Sequence, residues 1–189
     1  MNDIIKGAGY FIYPLGLFSF LAAYVIIERL IALRTARVLP KALSDAFISG
    51  EVVNSAGDLH STAGRIVYFF RKTNPDPEAL KAYARLEIAK LERGLFILEI
   101  VISGAPLLGL LGTITGLAKV FSSQVVENAM LNKEQFISGI SLALTTTMVG
   151  LCIAIPALVA NSWFHRRIEL LASRIEMGVE RLIDLAKRR

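Results

Sequence analysis

Five threonines stand inside two long apolar runs. Thr113 and Thr115 lie in LLGLLGTITGLAKV, residues 107–120, and Thr145, Thr146 and Thr147 lie in GISLALTTTMVG, residues 139–150. A threonine hydroxyl carries one proton and two lone pairs, so several at one depth orient water and pass hydrogen bonds without ionising. A single threonine in an apolar helix normally bonds its own backbone three or four residues back. Depth separates these five from that ordinary case. If the two runs cross a membrane in opposite directions, Thr113 is about 7 residues from its outer end and Thr147 about 10, a difference of about 5 Å at 1.5 Å per residue. The expected chemistry is a polar belt, with Thr113, Thr146 and Thr147 lining a path for ions or water.

Small residues accompany the threonines. Gly109, Gly112 and Gly116 recur at helical spacing, Gly112 and Gly116 in the small-xxx-small pattern that lets membrane helices approach closely. In the second run Thr146, Gly150 and Ala154 step by four, with Ala157 and Ala160 beyond. These positions are expected to pack helices. Pro106 and Pro156 each remove a backbone hydrogen bond from inside a run, as membrane helices tolerate, and are read as kinks.

Equally informative is what the runs lack. No Asp or Glu occupies the middle of one. Glu28 stands next to Arg29, Glu99 near one end of its run and Lys119 near the other, all readable as interfacial residues. Proton carriage therefore requires a titratable group from a partner. His60 and His165 are far apart and Cys152 is the sole cysteine, so neither a metal cluster nor an internal disulfide is expected. Without a nucleophile–base pair or a phosphate loop, the chain reads as a non-enzyme with no cofactor. No half resembles an inverted repeat, which argues against a transporter.

The elements that must position these residues follow from hydropathy. The chain has 189 residues, 54% of them hydrophobic, and a mean hydropathy of +0.54, too apolar for an ordinary soluble domain. A bilayer core of about 30 Å needs about 20 apolar helical residues, and three runs qualify. The expected organisation is an arm over 1–10, a first span over 11–33, a helical insert over 34–94, a second span over 95–121, a loop over 122–135, a third span over 136–164 and a terminal helix over 165–189. The start, MNDIIKGAGYFIYPLGL, shows no small-residue cleavage site, so the first span reads as an uncleaved anchor. Of 21 Lys and Arg, ten fall within 34–94 and seven within 165–189, which places both regions in the cytoplasm and the N-terminus outside. The pI near 9.5 then reflects topology rather than nucleic-acid binding.

Within the insert, VLPKALSDAFISGE reads as a short helix and residues from Asp58 to Lys72 as a second. Asp76-Pro77-Glu78 marks another helix start. From Pro77 the pattern predicts one unbroken helix to Val120, about 66 Å long, with Gly94 tolerated inside it. Asn132 to Gln135 resembles a capping box, and the third span is expected to continue to the C-terminus. Ile168, Leu171, Ile175, Val179, Leu182 and Ala186 form an apolar stripe for packing against another helix. The predicted fold is an all-α integral membrane protein with three transmembrane helices, two of them extended into a cytoplasmic helical stalk.

At these same residues the chain resembles the MotA/TolQ/ExbB proton-channel family, nearest to its ExbB and TolQ branches. The likeness covers most of the chain and is strongest in GAPLLGLLGTITGLAKVF and in GISLALTTTMVGLCIAIPALVANSWFHRRIE. The Gly-Thr-x-x-Gly motif falls on Gly112, Thr113 and Gly116. Thr-x-x-Gly-Leu followed by Ile-Pro-Ala falls on Thr147, Gly150, Leu151, Ile155, Pro156 and Ala157. The resemblance implies a five-copy ring in the bacterial inner membrane around an ExbD- or TolR-like single-span partner. The partner's aspartate would carry H⁺, with Na⁺ not distinguished by sequence, while Thr113 and Thr147 line the path. Work would pass to TonB- or TolA-like proteins. One departure stands out: where many ExbB and TolQ proteins carry a glutamate in the third span, this chain has Leu142. The long C-terminal extension of MotA proteins is also absent. The competing expectation is a non-conducting membrane scaffold, in which glycines pack and threonines bond only themselves.

Overall fold

The computed structural model describes residues 9–40, 43, 61–126 and 133–187. Among them, regular structure is helical throughout. A 3₁₀ turn, Gly9–Phe11, leads into α1, Ile12–Ala32. Then come α2, Thr35–Val38; α3, Thr62–Thr73; α4, Pro77–Ala89; a second 3₁₀ turn, Lys90–Glu92; α5, Leu95–Val126; and α6, Lys133–Lys187. Helix α1, the stretch Leu95–Ala118 of α5, and α6 from Gly139 onward are long and apolar enough to cross a membrane. The all-α fold with three membrane-length helices is the one expected. Most of VLPKALSDAFISGE, the expected start at Asp58, and Asn132 of the capping box lie outside the described residues.

The predicted continuity from Pro77 to Val120 does not hold. Helix α4 ends at Ala89, Arg93 is extended at φ −55° and ψ 127°, and Gly94 adopts φ 90° before α5 begins. Local chemistry explains the break. A glycine takes a positive φ without the Cβ clash any other residue meets. The buried Arg29 donates from Nη1 to the Leu91 carbonyl oxygen at 3.1 Å, an oxygen inside the 3₁₀ turn. The same guanidinium holds Glu28 through bonds of 2.7 and 3.0 Å. Helix propensity had no competitor visible between Ala89 and Leu95; the side chain arriving from α1 supplies it.

The chain divides into two compact units, Met1–Ile26 with Gly94–Asn161 and Ile27–Arg93 with Ser162–Arg189. The first contains most of α1, all of α5 and the larger part of α6. Its interior consists of Leu15, Ala22 and Val25 from α1, Leu98, Val101 and Ala105 from α5, and Ala143, Ala154 and Ala157 from α6. Large apolar side chains such as Phe20, Leu107, Ile114, Leu144 and Ile155 point outward. Small residues at the closest helix contacts, with a leucine-rich exterior, are what lipid as solvent selects.

The second unit is built like a soluble helical domain. Ser61 caps α3, its Oγ accepting from the Gly64 N–H at 3.0 Å, and Asn74 ends that helix in the left-handed region at φ 42°. Phe69 stacks on Tyr83 of α4 with centroids 4.2 Å apart. Asp76 occupies the expected start of α4, with Pro77 in the first turn, but its carboxylate makes no capping bond. In the terminal part of α6, Ile168, Leu171, Ile175, Val179 and Leu182 are buried as the stripe predicts. Ala186 is exposed and Ile183 is buried in its stead.

Candidate functional site

The site rests on a close approach of α5 and α6 that only small residues allow. A Cβ placed on Gly150 would fall 2.5 Å from the Ala105 carbonyl oxygen. One on Gly109 would fall 2.9 Å from the Thr146 carbonyl oxygen and from the Thr147 Cα. On Gly112 it would meet the Thr146 side chain at 2.6 Å. Gly116 approaches Gly139 and Ala143 less tightly, at 3.2 to 3.5 Å, and Ala154 is buried. All five expected packing positions thus lie in the interior of the unit. Gly104, which the spacing did not single out, faces the Phe18 ring of α1. Pro106 and Pro156 sit inside helices that continue past them.

This approach gathers three of the five threonines around one carbonyl. Thr147 Oγ1 lies 3.2 Å from the Gly109 oxygen, Thr113 Oγ1 3.2 Å and Thr146 Oγ1 3.3 Å. Thr113 and Thr147 are themselves 3.2 Å apart, oxygen to oxygen. Each hydroxyl also has other choices: Thr113 donates to the Leu110 oxygen at 2.7 Å and Thr146 to that of Ala143 at 2.9 Å. One proton per hydroxyl means these bonds cannot all exist together. When Thr113 donates to Leu110, its lone pair accepts from Thr147. When Thr147 donates to Gly109, its lone pair accepts from Thr113. The pair therefore has two hydrogen-bond polarities, interchanged by rotating hydroxyls. Such a pair relays orientation to water or an ion but is no proton store, because neither group ionises near neutral pH.

Burial divides the three. Thr146 is fully buried under Gly112, whereas Thr113 and Thr147 are half-buried and reach the surface of the unit. Thr115 and Thr145 stay outside the cluster and bond their own helices, Thr115 at 2.9 Å to Leu111 and Thr145 at 2.7 Å to Ser141. The side chains of Leu142 and Lys119 lie outside the described residues. A cavity of about 540 Å³ between α1 and α6 is lined by Gly16, Ser19, Cys152 and Pro156 among others. Among the described residues no group of three or more His, Cys, Asp or Glu is placed to hold a metal.

The second unit contains a polar site that sequence reading missed. The Glu87 side chain is 1% exposed and accepts from Arg65 Nε at 2.7 Å and from Lys90 Nζ. Burial alone raises its pKa. The hydrogen bonds from Lys90 and Arg65, together with their charges, more than offset this and hold the carboxyl below its ordinary value. The signal lay in the stripe Leu80, Ala84, Glu87, Leu91, where a carboxylate takes an interior position at helical spacing.

Comparison with known proteins bears on the same residues. Residues 58–177 match the profile of the MotA/TolQ/ExbB proton channel family. An ExbB-like protein of Synechocystis is 34% identical over 174 residues, covering 84% of this chain and 67% of the relative. The biopolymer transport protein ExbB of Helicobacter pylori is 34% identical over 113 residues, 59% of this chain and 74% of the relative. The Tol-Pal system protein TolQ of Haemophilus influenzae is 30% identical over 191 residues, 88% of this chain and 81% of the relative.

Proposed function

Because this chain belongs to the MotA/TolQ/ExbB proton channel family, we propose that it is the ring-forming subunit of an ion-driven motor in the bacterial inner membrane. Its relatives named ExbB and TolQ support a proton-channel-like subunit of envelope energy transduction, multi-pass in that membrane. The finer reading is a pentamer around an ExbD- or TolR-like single-span partner. Ion flow between ring and partner becomes mechanical work on TonB- or TolA-like proteins. The N-terminus lies on the periplasmic side and the C-terminus in the cytoplasm, in keeping with the concentration of Lys and Arg in 34–94 and 165–189. The chain acts without catalysing a reaction of its own.

One observation carries this reading: the hydroxyls of Thr113 and Thr147 meet at 3.2 Å at the edge of two apolar helices, half-exposed rather than sealed. A scaffold has no use for a reversible polar pair at that place. With a leucine at position 142, the path consists of hydroxyls, water and a carboxylate brought by the partner. Thr146, deeper in the contact, forms the wall behind it.

The test is proton flux into dye-loaded vesicles containing the protein co-purified with its single-span partner. Thr113→Val and Thr147→Val are each expected to lower flux at least about tenfold, as loss of one positioned relay group does, with the native mass of the complex unchanged. Unchanged flux in both variants would return the threonines to packing and favour the scaffold.

A further inference from the structure

Glu99 is the one acidic residue whose side chain is described in the unit that contains the threonine pair. It lies inside the membrane-length stretch Leu95–Ala118 and is exposed there. A carboxylate within such a stretch is costly unless it faces water or a polar partner, so its direction matters. At about 100° per residue, Ser103, Pro106, Leu110 and Thr113 all fall within about 40° of the direction of Glu99. The exposures agree with this wheel. Glu99 and Ser103 are exposed, Leu110 is 52% exposed, and Pro106 and Thr113 are half-buried, whereas Leu98, Val101, Ala105 and Gly112 turn inward.

Polar atoms mark the two ends of this outward face, with Leu110 between them. The Glu99 carboxyl comes first. Ser103 Oγ follows, donating to the Glu99 backbone oxygen at 2.7 Å. Next is the Ile102 carbonyl, to which Pro106 has no N–H to give. Thr113 Oγ1 comes last, 3.2 Å from Thr147. The remaining titratable side chains described in this unit, Tyr10, Tyr13, Tyr24 and Cys152, are on or beside α1 and on α6, none of them on α5.

We propose that the α5 face from Glu99 through Ser103 to Thr113 is a continuation of the ion path toward Gly94, and that the Glu99 carboxylate is the proton acceptor at its end. This rests on the ion-path reading above. The step balances: a hydronium in the path gives one proton to the carboxylate and becomes water, its O–H bond breaking as the carboxyl O–H bond forms. The carboxyl then passes that proton to a water at the Gly94 end, which restores the carboxylate and a hydronium. Glu99 thereby supplies from this chain a carboxylate that position 142 does not.

Two measurements test the assignment. Vesicle-embedded wild-type protein is treated with dicyclohexylcarbodiimide, an apolar reagent that attacks protonated carboxyls, and its peptides are weighed. The expected result is a label on Glu99 that is absent from Glu99→Gln. Labelling only by a water-soluble carbodiimide would assign Glu99 to the aqueous interface and overturn the proposal. In the flux assay Glu99→Gln is expected to fall at least about tenfold, with Glu99→Asp retaining most of the flux. Wild-type flux in Glu99→Gln beside reduced flux in Thr113→Val would overturn the role of Glu99 and leave the threonine path standing. Wild-type flux in all of them would overturn the path itself. If Glu99→Gln fails to assemble, Glu99→Asp and the labelling of the wild-type chain still decide.

Discussion

The two units solve the same problem, holding helices together, with different chemistry. In the unit made of α1, α5 and most of α6, helices meet through glycine at backbone contact distance, and the polar atoms between them are hydroxyls and carbonyls. In the other, helices meet through stripes of large aliphatic residues, and the polar atoms are ions: Glu87 between Arg65 and Lys90, and Lys81 with Glu180. Lipid offers apolar helices no hydrophobic gain on association, so close packing must supply the attraction. Water does offer that gain, and it tolerates charges at the edges. The two packing styles match the lipid and water that the proposed topology assigns to these units.

The largest expected effect tests the glycine half of this contrast. Gly150→Leu forces a side chain against the Ala105 carbonyl, a rigid backbone atom, and is expected to cost about 3 kcal/mol or to abolish the helix pairing. Gly16→Ala, where nothing lies within 4 Å, should leave the melting temperature unchanged. Thermal unfolding of the detergent-solubilised protein compares them. Equal loss in both would mean that backbone approach is not what holds these helices.

A smaller effect sharpens the ionic half. The pKa of Glu87 is lowered by folding, so its contribution is present above the unfolded carboxyl value, about 4.3, and is lost as pH falls through the folded value. Glu87→Gln should be less stable than the wild type near neutral pH, by about 1–3 kcal/mol for a buried charge-assisted bond lost. The gap should close in acid. Melting curves recorded from neutral pH downward give the answer; a gap independent of pH would mean that the carboxylate charge contributes nothing.

The smallest effect belongs to the surface. Lys81 and Glu180 pair at 2.8 Å, but both are substantially exposed, and exposed pairs contribute little. Lys81→Glu is expected to leave the melting temperature unchanged within error, at low salt as at high. A clear drop at low salt would show that this contact differs from ordinary surface pairs.

Much of this was legible in the sequence. The three membrane-length helices followed from hydropathy, and the similar depth of the threonines and the small-residue spacing were visible too, because these depend on residues close along one helix or at one depth. What escaped notice depends on partners distant in sequence. Gly104 needs Phe18 beside it, Glu87 needs Arg65, and the interruption before α5 needs Arg29 at Leu91. Thr115 and Thr145 share composition and depth with the cluster, yet their rotation about the helix leaves them bonding their own backbone. Spacing alone did not single out which of neighbouring threonines face the partner helix.

Gly94 has a consequence for how the gene can change. Its φ of 90° lies beyond the left-handed region near 57° that asparagine and aspartate visit, so any side chain there is strained. Every single-base change in a glycine codon that alters the residue adds a Cβ or ends the chain. The joint before α5 therefore has no neutral neighbour in codon space. Variants at this position should be recovered from random mutagenesis far less often than variants at Gly16, although both are glycines in the same unit.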